Sequence, residues 1–176
     1  MMAVIDELLE ANRRFSGARR QVQLPMPSSR KVAVLACMDA RLDPARVLGL
    51  DEGDAHVIRN AGGRAQDAIR SLAISQRLLG TTAIAIVHHT DCGMLTFSNP
   101  DIQARIRQDL EADASAVDFL PFGNLEASVR EDLGVLRKSP LIARDTDIRG
   151  FIYDVKTGLL QEVKERELAG AGKAAR

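Results

Sequence analysis

Two uninterrupted apolar runs, each ending in residues that can bind a metal or move a proton, constrain this chain more than any other feature. The first is VAVLACMDAR at residues 32–41, and the second is AIAIVHHTDCG at residues 83–93. A short apolar run without polar alternation is typical of a strand covered on both faces, as in a parallel sheet. Ligands of open parallel sheets bind beyond the carboxyl ends of the strands. The pattern therefore predicts that both sets of reactive residues meet at one edge of a sheet.

The overall composition limits the number of domains and the class of partner. A chain of 176 residues is long enough for one domain with a substantial core and short for two. Its 24 basic and 24 acidic residues balance without a long run of either sign, which argues against a nucleic-acid or anionic-membrane partner. One Tyr, five Phe and no Trp also offer few surfaces for base stacking. We expect a small uncharged molecule or an anion as partner.

The two cysteines and the N-terminal residues indicate the compartment. Residues 1–15 carry acidic side chains and lack the apolar core of a signal peptide, and no later segment has the 18 consecutive apolar residues of a membrane span. Cys37 and Cys92 each lie beside polar residues of catalytic type, which favours reduced thiolates over a disulfide. A cytoplasmic protein is expected.

Periodicity assigns the elements and the fold class. Predicted helices cover residues 3–16, a short piece from about 43, 64–79 and 124–138, and a further helix is capped by Asn99 or Asp101 and runs to about residue 112. Predicted strands cover residues 31–37, 55–59, 81–88 and 150–155, with a last one at 159–160, and residues 119–122 (FLPF) form either a strand or an apolar plug. Alternating strands and helices predict an α/β fold, with a mostly parallel sheet of four to five strands flanked by helices.

The first helix is set apart from the rest of the chain. A basic connector with two prolines, residues 17–30, separates it from the first strand, so it can protrude onto another subunit or pack on its own sheet. The predicted organisation is an N-terminal arm and connector over residues 1–30, a catalytic α/β domain over 31–168, and a disordered tail over 169–176.

The reactive residues fit a zinc site. Catalytic zinc commonly keeps three protein ligands and one open position, and two Cys with one His is a known set. His89 and Cys92 supply two ligands from one turn, and Cys37 supplies the third from another strand. With only two cysteines, a four-cysteine structural site is excluded. A structural site would instead take a fourth ligand from Asp39, His88 or His56.

The three histidines have different expected roles. Successive strand residues point to opposite faces, so only one of His88 and His89 is expected to face the metal, and the turn spacing favours His89. His88 is expected to pack or to form hydrogen bonds inside the structure. His56, inside a strand-like run, is expected to be a hydrogen-bonded core histidine.

Asp39 and Arg41 are two residues apart, which permits a bidentate ion pair on one face of an extended segment. Such a pair is usually structural. Beside zinc, Arg41 would also hold Asp39 off the metal, and Asp39 would accept a hydrogen bond from the zinc-bound solvent. If the ion pair between Arg41 and Asp39 broke, the Asp39 carboxylate could occupy the open coordination position of the zinc. Metal-bound structures across a pH range test this hypothesis.

These motifs together resemble those of the β-class carbonic anhydrases. The resemblance rests on the C-x-D-x-R motif of residues 37–41 and the H-x-x-C motif within residues 89–93. It extends through HVIRNAGG at residues 56–63 and YDVKTG at residues 153–158, and so covers most of residues 31–160.

The resemblance implies that a zinc-bound hydroxide converts carbon dioxide to bicarbonate. It implies one zinc ion per chain with Cys37, His89 and Cys92 as ligands, Asp39 and Arg41 as the adjacent catalytic pair, and the amide of Gly93 orienting the substrate. It also implies a homodimer or homotetramer in which the N-terminal helix embraces a neighbour.

Other functions remain open from the sequence. Small relatives of this family hydrolyse carbonyl sulfide or carbon disulfide with the same zinc motifs, and the zinc ligands cannot distinguish these triatomic substrates. A non-catalytic zinc protein and a cysteine-based sulfur-transfer or redox domain are alternatives from other classes, although the second leaves the His89-x-x-Cys92 spacing unexplained.

Overall fold

The computed structural model describes residues 3–19, 23–24 and 26–164. Its strands are β1 (Val32–Cys37), β2 (Ala55–Asn60), β3 (Ala83–His89), β4 (Asp147–Tyr153) and β5 (Leu160–Val163). Its helices are α1 (Val4–Ala18), α2 (Pro44–Leu48), α3 (Ala65–Leu79), α4 (Asn99–Leu110) and α5 (Leu125–Lys138). Short 3₁₀ turns cover Ala61–Gly63 and Gly93–Leu95.

The five strands form one sheet in the order β2-β1-β3-β4-β5. All pairs are parallel except β4 with β5, which is antiparallel. The predicted α/β class and mostly parallel sheet are confirmed. The long crossovers that parallel pairing requires are the segments containing α2, α3, and α4 with α5.

Several element boundaries differ from the sequence-based predictions. The cap of α4 is Ser98, not Asn99 or Asp101, because Ser98 and Asp101 satisfy each other's backbone amides in a capping box, and the helix ends at Leu110. β4 begins at Asp147 and ends at Tyr153 because it pairs with β3 over this range, and β5 continues to Val163 because it pairs with Gly150–Tyr153 of β4. Residues 119–122 form no strand, and Leu120 and Phe122 are buried as an apolar plug.

The sheet separates two apolar clusters, because alternate residues of β1 point to opposite faces. Ala33 and Leu35 join a cluster with α3 and α5. Val34 and Ala36 join a second cluster on the other face, which contains both cysteines. The second cluster therefore forms the floor of the candidate site.

The turn after β2 packs directly against the end of β1. Gly63 has a φ of +71°, and a Cβ added there would lie 3.0 Å from the amide nitrogen of Cys37 and 3.1 Å from the carbonyl carbon of Ala36. Only glycine permits both this backbone conformation and this approach. The turn thereby fixes the backbone at Cys37.

The structure does not test two predictions, the division into an arm and a domain and the disordered tail. The domain division at residues 30 and 31 stays a prediction, and the tail over 169–176 lies outside the described residues. Among the helices of the described ranges, none combines the length and apolarity needed to cross a bilayer.

The packing of α5 on β4 yields a stability prediction. A Cβ at Gly150 would collide with Val129 and would lie 3.1 Å from Leu133 Cδ1, both on α5. We expect Gly150→Ala to lower the free energy of unfolding by about 1–3 kcal/mol through overpacking. Gly134→Ala is the matched control: apart from its chain neighbours and the nearby backbone of its own helix, no described atom lies within 4 Å of its added Cβ. This control should gain about 0.5–1 kcal/mol from helix propensity. Urea unfolding of both variants measures the difference, and equal stabilities would contradict the packing argument.

Candidate metal centre

The structure brings together the three predicted zinc ligands. Cys37 is the last residue of β1, His89 is the last residue of the neighbouring β3, and Cys92 follows in the next turn. Their candidate ligand atoms all lie within 4.8 Å of one another, and the two sulfur atoms are 4.0 Å apart. All three side chains are buried. The arrangement is the size of one coordination sphere.

The ring of His89 is oriented for binding through one nitrogen. Its Nδ1 lies 2.9 Å from the carbonyl oxygen of Thr90, which can only accept a hydrogen bond, so Nδ1 carries the proton. The other nitrogen, Nε2, is buried and has no hydrogen-bond partner among the described residues. A buried lone pair without a partner is unusual unless it binds a ligand. His89 Nε2 therefore fits a metal-binding role.

The two thiols respond in opposite ways to their surroundings. A hydrogen bond from Cys92 lowers the pKa of Cys37 well below its usual value, and the backbone N–H groups of Asp39 and Gly62 act in the same direction. The thiolate of Cys37 and burial raise the pKa of Cys92. Burial is the largest influence on His89 and lowers its pKa, but the contacts with Cys37 and the Thr90 carbonyl and the charges of Cys37 and Asp39 together raise the His89 pKa. The site thus favours a thiolate at Cys37, the form that binds metal.

This donor set suits zinc. Two sulfur donors and one imidazole match the chemistry of zinc, and three ligands leave a coordination position for solvent. Asp39 Oδ2 lies 3.7 Å from His89 Nε2, next to the three candidate ligands. Deprotonation of Cys92 would be coupled to metal binding, because a thiolate is the ligand form.

Asp39 and Arg41 form the predicted bidentate pair. Arg41 Nε donates to Asp39 Oδ1 at 2.9 Å, and Arg41 Nη2 donates to Asp39 Oδ2 at 2.8 Å. The Arg41 guanidinium holds the pKa of the Asp39 carboxyl well below its usual range. Arg59 Nη2 donates to the backbone carbonyls of Cys37 and Asp39 at 3.0 and 2.7 Å. The segment carrying both the thiol and the carboxylate is therefore held on two sides.

Sequence reasoning missed a second carboxylate on Arg41. Arg41 Nη1 donates to Asp91 Oδ2 at 2.7 Å, and Nη2 donates to the Asp91 backbone carbonyl at 2.9 Å. Asp91 adopts a φ of +56° in the turn between His89 and Cys92. Its acidic side chain inside the second motif was the available signal, but the contact depends on how β1 and β3 are aligned. Arg41 thus ties the two motifs together.

The other histidines lie where the sequence placed them. His88 points to the opposite face from His89, with Nδ1 2.9 Å from Ser128 Oγ and Nε2 3.0 Å from Asp132 Oδ2. His56 is half-buried, with Nδ1 2.7 Å from Ser75 Oγ. The structure does not bring either histidine into the group of candidate ligands.

A largely apolar cavity of about 310 Å³ opens onto the candidate ligands. Met94 and Phe97 contribute apolar surface, Gly93 lies beside Cys92, and Met38 stands exposed in the lining. A cavity with apolar walls and a few convergent polar groups suits a small ligand. The site can therefore place a small, weakly polar molecule next to a metal-activated solvent molecule.

Comparison with known proteins agrees with the motifs. Residues 32–160 match the family described as carbonic anhydrase. Beta-carbonic anhydrase 1 of Mycobacterium tuberculosis is 47% identical over 163 residues, which are 92% of this chain and 99% of the relative. A carbon disulfide hydrolase of Acidianus sp. is 35% identical over 161 residues, 78% of this chain and 79% of the relative.

The fold comparison points in the same direction. The crystal structure of carbonic anhydrase from Streptococcus mutans superposes with a TM-score of 0.89 at 47% identity. The match covers 93% of this chain and 99% of the Streptococcus chain. Together with the sequence matches, this similarity shows that the chain belongs to the β-carbonic anhydrase family.

Proposed function

We propose that this chain catalyses the hydration of carbon dioxide to bicarbonate, with one zinc ion held by Cys37, His89 and Cys92. The observation that carries the proposal is the meeting of these three donors, within 4.8 Å of one another, at an apolar cavity, with a buried His89 Nε2 that has no hydrogen-bond partner among the described residues. The 47% identity to beta-carbonic anhydrase 1 of Mycobacterium tuberculosis supports the same substrate.

The residues around the donors have complementary tasks. When bound, zinc lowers the pKa of a water molecule toward neutrality and so supplies a nucleophile. Asp39 Oδ2 accepts a hydrogen bond from the attacking water and orients it toward the substrate carbon. Arg41 keeps Asp39 in place by occupying both carboxylate oxygens. The amide of Gly93, which lines the cavity, donates to the substrate oxygen on which negative charge develops.

A second candidate is hydrolysis of carbon disulfide or of carbonyl sulfide, the latter giving hydrogen sulfide and carbon dioxide. It is favoured by the relatives named carbon disulfide hydrolase, at 31% to 35% identity. The same metal-activated water would attack each of these molecules. A side-by-side measurement of kcat/KM for carbon dioxide and carbonyl sulfide separates the two candidates.

The proposal predicts that zinc content and activity disappear together. We expect the purified chain to hold about one zinc and to hydrate carbon dioxide in a stopped-flow assay at alkaline pH. Cys92→Ser and His89→Gln each remove a ligand and should lose most of both. His56→Gln, a histidine outside the candidate site, is the control and should keep both. Stoichiometric zinc without hydration or sulfide-releasing activity would instead indicate a non-catalytic zinc protein.

The Asp39–Arg41 pair predicts a non-additive result. Asp39→Ala should retain zinc but lose about 10- to 100-fold in kcat, because the water is no longer oriented. Arg41→Ala should lose at least as much, since Asp39 is released toward the metal position. The double variant should stay close to Asp39→Ala alone, because without the carboxylate the restraint that Arg41 places on Asp39 is already lost and only its contact with Asp91 remains.

Stopped-flow assays on protein of equal zinc content measure this comparison. If Arg41→Ala keeps full activity, or if the losses multiply in the double variant, the proposed task of Arg41 is wrong.

We also propose that the chain works as a homodimer or homotetramer, assembled through α1. Within the described part of the chain, α1 has no buried residue. Its exposed apolar residues form a stripe at helical spacing: Val4, Ile5, Leu8, Leu9 and Phe15. The alternative expectation, that α1 packs on its own sheet, does not agree with this exposure. A second copy of the chain is the proposed cover for the stripe, because neighbouring β-carbonic anhydrase structures include tetramers.

Assembly predicts the effect of a charge on this stripe. Leu8 is 61% exposed, and Leu8→Glu should lower the molar mass in solution by dissociating the assembly. Arg14→Glu places an acidic group on the opposite side of the helix and should leave the mass unchanged. Sedimentation velocity at matched concentrations compares the two, and an unchanged mass for Leu8→Glu would argue against α1 as the contact.

We infer the compartment from the redox state that the two thiols require. Cys37 and Cys92 are both buried and free. A site built on thiolates requires reduced cysteines, which persist in reducing compartments. We therefore keep the cytoplasm as the proposed location.

A further inference from the structure

The apolar plug at residues 119–122 lies directly behind the wall of the cavity. The amide of Phe122 donates to the carbonyl oxygen of Met94 at 3.2 Å, and Met94 lines the cavity. Gly62 lines the same cavity, and a Cβ added there would lie 3.0 Å from Met94 Cγ and 3.2 Å from Phe122 Cε1. The backbone of Phe122 is therefore bonded to that of Met94, and the side chains of Met94 and Phe122 bound the space in front of Gly62.

The ring of Phe122 is held by two buried polar side chains. The His88 ring stacks on it with centroids 5.5 Å apart and an interplanar angle of 18°. The guanidinium carbon of Arg64 lies 5.5 Å from the Phe122 centroid, in a cation–π contact. Phe122 is thus fixed by contacts that a plain apolar core position does not have.

These two side chains are themselves anchored, so the ring cannot easily yield. Arg64 Nη2 donates to Glu131 Oε2 at 2.8 Å, and Arg64 Nη1 lies 3.5 Å from Asp132 Oδ2. The same Asp132 oxygen is 3.0 Å from His88 Nε2. Arg64, His88 and Asp132 are all at least 97% buried, and the approaches to Asp132 Oδ2 lack hydrogen-bond geometry. The hydrogen bonds that hold the two side chains beside the ring are those of Arg64 Nη2 with Glu131 and of His88 Nδ1 with Ser128 Oγ.

The backbone that precedes Phe122 is also held in one conformation by hydrogen bonds. Leu120 is buried with a φ of +56°, a conformation that non-glycine residues rarely adopt. Hydrogen bonds hold it there: the Leu120 amide donates to Asp118 Oδ1, and the Phe119 amide donates to Asn99 Oδ1, both at 2.9 Å. Strained residues persist where the surroundings over-determine them, often beside functional sites.

We propose that Phe122 is a positioning residue for substrate selection: held between Arg64 and His88, it keeps Met94 and Gly62 in place as one wall of the cavity and so sets the preference for carbon dioxide over its larger sulfur analogues. Carbonyl sulfide and carbon disulfide have the same linear shape, but sulfur is larger than oxygen and forms a longer bond to carbon. Moving this wall back therefore favours the sulfur analogues more than carbon dioxide. This inference rests on the proposed function and adds the element that selects among its substrates.

The test compares selectivity in variants that loosen the wall. In zinc-loaded Phe122→Leu we expect the ratio of kcat/KM for carbon disulfide to that for carbon dioxide to rise by about tenfold or more. Met94→Ala shortens the wall itself and should shift the ratio in the same direction, which keeps the test decisive if Phe122→Leu folds poorly. Phe151→Leu is the matched control, because Phe151 also carries a cation–π contact, with Arg149, but does not line the cavity. Its ratio should equal that of the wild type.

A second measurement does not depend on activity. Xenon binds apolar spaces in proteins. Crystals of Phe122→Leu pressurised with xenon should show an atom beside Gly62 and Met94 that the wild type lacks. A selectivity ratio that stays within twofold of the wild type in both Phe122→Leu and Met94→Ala overturns this inference, whether or not xenon enters. A zinc-loaded wild type that hydrates no carbon dioxide overturns the proposed function instead.

Discussion

The parallel pairing of β1 with β3 is the constraint on which the site depends. In that register Ala36 lies beside Val87, so the last residues of the two strands emerge together at one edge of the sheet. One strand brings a thiol and the other an imidazole, and neither motif alone could form a three-ligand site. The sheet hydrogen bonds and the buried apolar runs therefore determine the positions of the three donor side chains, without any contribution from a metal.

Backbone contacts then reduce the remaining freedom of the first motif. Gly63 packs against the amide of Cys37, and Arg59 binds the carbonyls of Cys37 and Asp39. Arg41 reaches across to Asp91 and links this segment to the second motif. Because these contacts restrain the site, little free energy is needed to reorganise it when a ligand binds. Polar groups act most strongly when they are preorganised in this way.

The sequence was sufficient for the parts of this structure that depend on local pattern. Uninterrupted apolar runs identify strands buried on both faces, and strand alternation separates His89 from His88. The contacts of Asp91 and Arg64 could not be read in the same way, because their partners are far away in the chain and come close only through the order of the strands. The cap of α4 was predicted at Asn99 or Asp101 and lies at Ser98, because all three residues are good cap formers.

The charges of the donors have a consequence for traffic through the cavity. Two thiolates and one divalent cation sum to zero, whereas three neutral imidazoles would leave a net charge of two. The nearby guanidinium of Arg41 is already paired with two carboxylates, and that of Arg59 is bonded to backbone carbonyls. With such a cation bound, the formal charges around the pocket would nearly cancel, so long-range attraction of anions would be weak. An uncharged molecule would then enter, and a negatively charged product would leave, without a strong electrostatic barrier.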